Sequence, residues 1–163
     1  MIKKTIIQKR QENYLIMILA FVSLILSNIA LPWTENPSSI PNYFIALIAI
    51  FIVSDKANLN LFKLFTIGLL VDLFLGQILG QYAFIFICIY ALNFLVSRIL
   101  IIKTDTQILS LSSFMILVSF FVLWATSQNQ NIILPLGLLF YQFILTLFIL
   151  IILKFTINTF TTK

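Results

Sequence analysis

A chain of 163 residues that is 61% hydrophobic and 9% charged, with a mean hydropathy of +1.12, lies far outside the composition of soluble globular domains. Its net charge of +5 comes from ten basic against five acidic residues, and its length is that of one domain. The sequence contains no histidine, which excludes an imidazole ligand or general base, and the single Cys88 cannot form an intramolecular disulfide. This composition predicts an all-α integral membrane protein with one transmembrane domain over residues 1–163.

Six apolar segments separated by polar breaks predict a bundle of six transmembrane helices. In chain order they cover about residues 14–31, 40–54, 61–75, 81–97, 108–125 and 132–155. The first, fifth and sixth reach or approach the roughly 20 residues that cross a bilayer. The second and third are short, since fifteen helical residues cover only about 22 Å. Each of these two must therefore thin the bilayer, extend into a loop or be buried by its neighbours.

The distribution of basic residues predicts that both termini lie in the cytoplasm. With six spans, every basic residue falls on the cytoplasmic side, and the outer loops carry only Glu35 as a charge. These basic residues are Lys3, Lys4, Lys9, Arg10, Lys56, Lys63, Arg98, Lys103, Lys154 and Lys163. If the second segment did not span, the four between it and the fifth segment would move to the opposite side from the N-terminal cluster.

Aromatic and lysine side chains near the ends of the segments agree with this topology. Trp33, Tyr43, Tyr82 and Trp124 fall at predicted outer ends, where amphipathic rings favour the membrane interface. Lys63 and Lys154 lie inside the third and sixth segments, and their long side chains are expected to reach the cytoplasmic headgroups.

The third segment and the turn after it contain the most informative pattern. Gly68, Asp72, Gly76 and Gly80 recur there at every fourth position. On a helix this spacing places at least the first of them on one face. Glycines on such a face let a second backbone approach closely, and the last two also predict a tight hairpin to the fourth helix. The pattern therefore predicts a small, polar face within the membrane.

Asp72 has two interpretations. A carboxylate at membrane depth is costly and normally faces protein or a water-filled cavity, so it is a candidate functional residue. Alternatively, it forms hydrogen bonds to backbone or hydroxyl groups of a neighbouring helix, for example at Ser23, Ser27, Asn28 or Asn93, or it lies near the outer interface in contact with water. A protonated form is compatible with a site of low dielectric constant.

The sequence argues against an enzyme. An intramembrane aspartyl hydrolase needs a second buried carboxylic acid beside Asp72, and none is present in the apolar segments. A serine hydrolase of the usual design lacks its histidine, and no glycine-rich phosphate loop occurs. No catalytic residue, metal or cofactor is therefore expected.

The same region carries a resemblance to a known family. It resembles the signature of the MreD family of bacterial rod shape-determining membrane proteins, which reads roughly Gly-x-x-x-Asp-x-x-x-Gly-x-x-Leu-Gly-x-x-Ala. The marked positions are filled here by Gly68, Asp72, Gly76, Leu79, Gly80 and Ala83. The chain length, the six predicted spans, and Pro32 and Pro41 beside the first and second spans are also similar to the family. The specific part of the resemblance is sixteen residues long.

The resemblance implies a non-enzymatic scaffold subunit of the cell-elongation machinery in the bacterial inner membrane. Such a subunit binds MreC, a single-span protein, and thereby links cytoplasmic MreB filaments to the peptidoglycan glycosyltransferase and transpeptidase. Contact with membrane lipid but not with nucleic acid is expected. The residues of the signature would shape either the core of the bundle or the seam that receives a partner helix.

The resemblance also implies an alternative. The MreD family is similar in fold to the substrate-binding membrane subunits of energy-coupling-factor transporters. This similarity implies a small-molecule-binding subunit of a transporter. Those subunits meet their energising partner through Ala-x-x-x-Ala in the first helix, where this chain has Ser23-x-x-x-Ser27. The outer loop between the first two predicted helices also offers few convergent polar groups. Likeness of fold alone does not carry a function.

Overall fold

A computed structural model of the protein describes residues 18–23, 25–27, 41–54, 59–75, 79–99, 104–128 and 136–161. Almost all of these residues are helical, which confirms an all-α protein. The helices are α1 (Ile18–Ser27, described except at residue 24), α2 (Tyr43–Ser54), α3 (Leu61–Leu75), α4 (Gln81–Ile99), α5 (Asp105–Gln128) and α6 (Leu136–Thr161).

Three of the described helices, α4, α5 and α6, are long and apolar enough to cross a membrane. The 24 residues of α5 and the 26 of α6 extend about 36 and 39 Å, which exceeds the hydrocarbon thickness of roughly 30 Å. Large apolar side chains are exposed along all three, as expected for surfaces that face lipid. The fold is therefore that of a membrane protein.

The helix bounds follow the predicted segments closely in the middle of the chain and less closely after it. The third segment coincides with α3, whereas α5 begins at Asp105 rather than at residue 108. A capping box explains the earlier start: the Gln107 amide donates to Thr104 Oγ1 (3.3 Å), and the Thr104 amide donates to Gln107 Oε1 (3.2 Å). Helix α6 also continues six residues beyond the predicted end, to Thr161.

Helix α2 forms the centre of the bundle. Ten of its twelve residues are buried, and it packs against α4, α5 and α6. Its side chains are apolar all round, as expected of a helix surrounded by others. The short second segment is therefore buried by its neighbours, one of the three solutions expected from its length.

Helix α3 has the opposite character. Only Leu64, Gly68, Val71 and Asp72 are buried, and this narrow stripe faces α4, against which α3 chiefly packs. The remaining surface is mostly apolar and partly or fully exposed, and Phe62 is the most exposed large apolar side chain of the helix (77%). Helix α3 is therefore an edge helix, held to the bundle by one face.

Candidate functional site

The carboxylate of Asp72 joins the end of α3 to the beginning of α4. Asp72 is fully buried (0% exposed), and its Oδ2 and Oδ1 accept hydrogen bonds from the backbone amides of Gly80 and Tyr82, each at 2.9 Å. The Gly80 carbonyl in turn accepts from the amide of Phe84 (2.9 Å), the first hydrogen bond of α4. Gly80 is therefore the N-cap residue of α4, and Asp72 supplies its cap from the preceding helix.

This arrangement explains how a buried carboxylate is tolerated. The first amides of a helix have no partner within the helix, and they carry a partial positive charge that favours an anion. Hydrogen bonds from amides to a carboxylate are also stronger than those between neutral groups. The predicted bond to backbone groups of a neighbouring helix is confirmed at the Tyr82 amide of α4. Among the described residues, the side chains of Ser23, Ser27 and Asn93 are not the partners of Asp72, because its two oxygens bind amides of its own hairpin. Asn28 lies outside the described residues.

Gly68 lets α3 and α4 approach closely one turn before Asp72. A Cβ atom added to Gly68 would lie 2.3 Å from the Cα of Ala83 and 2.5 Å from its backbone nitrogen, distances that no real Cβ atom tolerates. Ala83 is itself buried and presents only a methyl group. The prediction of close backbone packing at Gly68 is confirmed, and its partner is Ala83, the last residue of the signature.

The remaining residues of the signature differ in role. Gly80 has a φ of +96°, a conformation that disfavours side chains, and no atom lies within 4 Å of an added Cβ. It is therefore required by the turn rather than by packing. Leu79 is exposed (66%), and Gly76 lies outside the described residues. The structure thus brings Gly68, Asp72, Gly80 and Ala83 together in one hairpin.

A polar network extends from this hairpin into the bundle. Asn42 Nδ2 donates to the Tyr82 hydroxyl (2.6 Å), and the Asn42 amide donates to Thr146 Oγ1 (3.0 Å). Asn42 also caps α2, since its Oδ1 accepts from the Ile45 amide (3.3 Å). The Thr146 hydroxyl completes its own bonding by donating to the Gln142 carbonyl (2.7 Å). The network therefore joins α4, α2 and α6.

Sequence reasoning missed Asn42 and Thr146 as part of this site, and it placed Tyr82 at the membrane interface. Tyr82 is instead 5% exposed and lies inside the bundle. Asn42 did carry a signal, because an asparagine directly before an apolar segment is a favoured N-cap. Trp33, another residue predicted at the interface, lies outside the described residues.

The opposite end of the bundle contains an ion pair. Lys154 Nζ lies 2.7 Å from Asp105 Oδ1, with the lysine side chain 6% exposed and the aspartate side chain 68% exposed. Asn158 Nδ2 is near the other oxygen of Asp105 (3.4 Å). The Lys154 ammonium joins α6 to the first turn of α5. The prediction that this side chain reaches toward headgroups stays a prediction. Farther in, Asn93 Nδ2 donates to the Ile52 carbonyl (3.4 Å), near the end of α2.

The chemistry available at the hairpin is that of a structural joint. Both oxygens of Asp72 are engaged by amides, and no group of three acidic, Cys or His residues that could hold a metal ion occurs within the described ranges. No family model matches the chain, and neither a curated protein nor a solved structure matches it. Any function proposed for this chain therefore depends on the residues of the site.

Proposed function

We propose that this chain is a non-enzymatic scaffold subunit of the bacterial cell-elongation machinery, similar to the MreD family. In this role it binds an MreC-like single-span protein in the inner membrane and connects MreB filaments to peptidoglycan synthesis. The observation that carries the proposal is the hairpin of α3 and α4. Gly68, Asp72, Gly80 and Ala83 are four of the six signature residues by which the sequence resembles the family, and each of the four has a distinct structural role in the hairpin.

The proposed topology has six spans with both termini in the cytoplasm. Contacts between helix ends support alternating helix directions: Asn42 and Tyr82 bring the starts of α2 and α4 together, and Gln81 Nε2 donates to Thr126 Oγ1 (2.9 Å) near the end of α5. Asp72 adds the end of α3 to the same side. This side is the extracytoplasmic one in the proposal.

The charged residues support the orientation. Lys63 lies in the first turn of α3, Arg98 in the last turn of α4, and Lys154 contacts Asp105 at the start of α5. All three basic residues therefore lie toward the side opposite the Asp72 cap, where the positive-inside rule puts the cytoplasm.

The burial of Asp72 and Ala83 favours an indirect contribution of these signature residues to partner binding. Asp72 and Ala83 are buried between α3 and α4, so a partner helix in contact with the outside of the hairpin would not touch them. Their contribution to binding is then indirect: they fix the position of α3, whose exposed face is available within the membrane. A substitution at Asp72 should therefore weaken a complex through the hairpin.

The test is co-purification. The tagged protein is expressed with the MreC-like protein of the same organism, solubilised in mild detergent and recovered, with Asp72→Ala and Asp105→Ala in parallel. We expect a complex with the parent and with Asp105→Ala, and a reduced yield with Asp72→Ala that follows its loss of thermal stability. Failure of the parent to recover a single-span partner would overturn the proposal, and so would an undiminished complex with Asp72→Ala whose stability is clearly reduced.

A further inference from the structure

Three polar side-chain oxygens are buried in the half of the bundle that lies away from the Asp72 cap. They are Ser54 Oγ at the end of α2, Asn93 Oδ1 in α4 and Ser112 Oγ in α5. None of the three has a hydrogen-bond partner among the residues that the structure describes. Ser112 is the most deeply buried of these residues, at 0% exposure. Buried polar atoms without a partner are costly and rare, so three of them require an explanation.

The three residues lie at one level of the bundle. The Asn93 side chain donates to the carbonyl two residues before Ser54 (3.4 Å), so α2 and α4 are aligned there. At the other end, the hydrogen bond from Gln81 to Thr126 aligns α4 with α5, which runs in the opposite direction. Asn93 lies about 18 Å along α4 from Gln81, and Ser112 lies about 21 Å along α5 from Thr126. The levels of Ser54, Asn93 and Ser112 therefore differ by only about 3 Å.

The packing of the helices places these residues at one junction. Helices α2, α4 and α5 pack against one another in all three pairs. Ser112 belongs to the buried stripe of α5, which also contains Met115, Ile116 and Ser119. Helix α2 ends at this level with Ser54, and the last carbonyls of a helix have no partner within it. The junction therefore combines two hydroxyl groups, one amide oxygen and the carbonyl end of a helix.

The donors and acceptors of the three side chains determine which ligand would satisfy them. Asn93 Nδ2 already donates to α2, so Asn93 Oδ1 is an acceptor that needs a donor. Each serine hydroxyl has a hydrogen that needs an acceptor, and its oxygen can also accept. A monovalent cation would bind the oxygens but leave both hydroxyl hydrogens without an acceptor. A water molecule accepts from both hydroxyls, donates one hydrogen to Asn93 Oδ1 and has a second hydrogen for a carbonyl in the last turn of α2.

We infer that one buried water molecule is bound between α2, α4 and α5, with hydrogen bonds to Ser54, Asn93 and Ser112. Its four hydrogen bonds are at the upper end of the range of about two to four that buried waters form. The water joins the three helices in this half of the bundle, as Asn42 joins α2, α4 and α6 in the other half. Neither its position nor its chemistry depends on which side of the membrane is the cytoplasm.

Radiolytic labelling with a synchrotron X-ray pulse tests the inference. The pulse converts water to hydroxyl radicals, which oxidise side chains next to a bound water even where bulk solvent is excluded. Met115 is the probe, because it is 0% exposed and lies one turn from Ser112 on the same face of α5. In the folded parent protein in lipid nanodiscs, we expect oxidation of Met115 to methionine sulfoxide.

Two variants show whether this oxidation depends on the bound water. The double variant Ser54→Ala/Ser112→Ala removes both hydroxyl donors, so the occupancy of the water and the rate of Met115 oxidation should fall by about tenfold or more. The matched control is Ser119→Ala. The Ser119 hydroxyl is also buried, but it already donates to the Met115 carbonyl (2.8 Å), so its removal should leave the rate unchanged. Rates are normalised to the unfolded variants, and thermal unfolding shows that each variant keeps the fold.

Three results would overturn the inference. The first is a folded parent in which Met115 is not oxidised, which would mean that the three oxygens have partners elsewhere in the chain. This measurement needs no variant, so it decides even if the double variant does not fold. The second is an equal rate in the parent and the double variant, or an equal loss in Ser119→Ala. The third is a melting temperature that rises when sodium replaces choline in the parent but not in the double variant, which would assign a cation to the junction.

Discussion

Two aspartates lie at opposite ends of this bundle, and they are stabilised in opposite ways. Asp72 is completely buried and accepts from two backbone amides of the hairpin that contains it, whereas Asp105 is mostly exposed and contacts the long side chain of Lys154. Backbone amides at a helix start are fixed in place, so ordering them for Asp72 costs little additional entropy. The pair at Asp105 must order a flexible lysine side chain, and its exposed carboxylate is open to competition from water.

The comparison shows that burial and the rigidity of the partners decide how much a carboxylate contributes to the fold. Removal of Asp72 leaves two amide donors without their acceptor, that of Tyr82 in a buried position and that of Gly80 in a partly buried one, and such a loss is expensive where water cannot replace the acceptor. Removal of Asp105 takes away a carboxylate that is itself mostly exposed, so water and ions can enter from its side to contact the Lys154 ammonium. Substitutions at the two ends of the bundle therefore test this difference.

Replacing Asp72 should have the largest effect. Asp72→Ala removes both acceptors, at about 1–3 kcal/mol for each amide left without a partner. The matched control is Asn93→Ala, which removes one weak 3.4 Å hydrogen bond and should cost less. Free energies of unfolding are measured by titration with sodium dodecyl sulfate in mixed micelles. Asp72→Asn should recover only part of the loss, since its amide group would face an amide donor. Equal losses for Asp72→Ala and Asn93→Ala would show that the cap is unimportant.

The close approach at Gly68 should give the next largest effect. Gly68→Ala places a methyl group 2.3 Å from the Cα of Ala83, so the helices must separate, at about 1–3 kcal/mol. The control is Gly137→Ala near the start of α6, where no atom lies within 4 Å of an added Cβ. This change should be neutral or slightly stabilising, because alanine favours a helix over glycine. A tolerated Gly68→Ala, measured in the same titration, would mean that the two helices are not held at this distance.

Substitution of Gly80 should lower the stability less than substitution of Gly68 does. The loss at Gly80 should also not depend on the size of the new side chain. Because φ is +96° and the surrounding space is open, Gly80→Ala and Gly80→Leu should lose similar amounts, about 1–2 kcal/mol each. Close packing, one of the two roles that the sequence predicts for Gly80, would make the leucine variant much less stable than the alanine variant. Thermal unfolding of the two variants side by side distinguishes backbone strain from steric overlap.

These residues also show which features the sequence could predict. The four-residue spacing predicted the hairpin and close packing at Gly68, because both depend on local geometry that a short pattern encodes. It could not identify the partners of Asp72, since a carboxylate bonds equally well to hydroxyl, amide or backbone donors. Nor could it place Tyr82, Asn42 and Thr146 together, because their positions depend on three helices that are far apart in the chain.

Apolar runs located the helices but not all of their ends. Hydrophobicity marks the apolar part of a helix. Helices α5 and α6 extend beyond it because polar contacts stabilise a turn at the start of α5 and a turn at the end of α6. Thr104 and Gln107 form the cap that starts α5 early, and Asn158 lies beyond the apolar run of α6 where it contacts Asp105. These contacts require the two helices to be neighbours, which the pattern of either helix alone does not reveal.

The ion pair at the other end of the bundle should give the smallest effect and completes the comparison. Asp105→Asn is expected to lower the free energy of unfolding by at most about 1 kcal/mol, because the carboxylate is 68% exposed. The difference between parent and variant should shrink as salt is raised, since exposed charges are screened, whereas that of Asp72→Ala should change little. Thermal unfolding at low and high ionic strength measures both. A loss for Asp105→Asn as large as that for Asp72→Ala would show that burial of Lys154, rather than exposure of its partner, determines the strength of the pair.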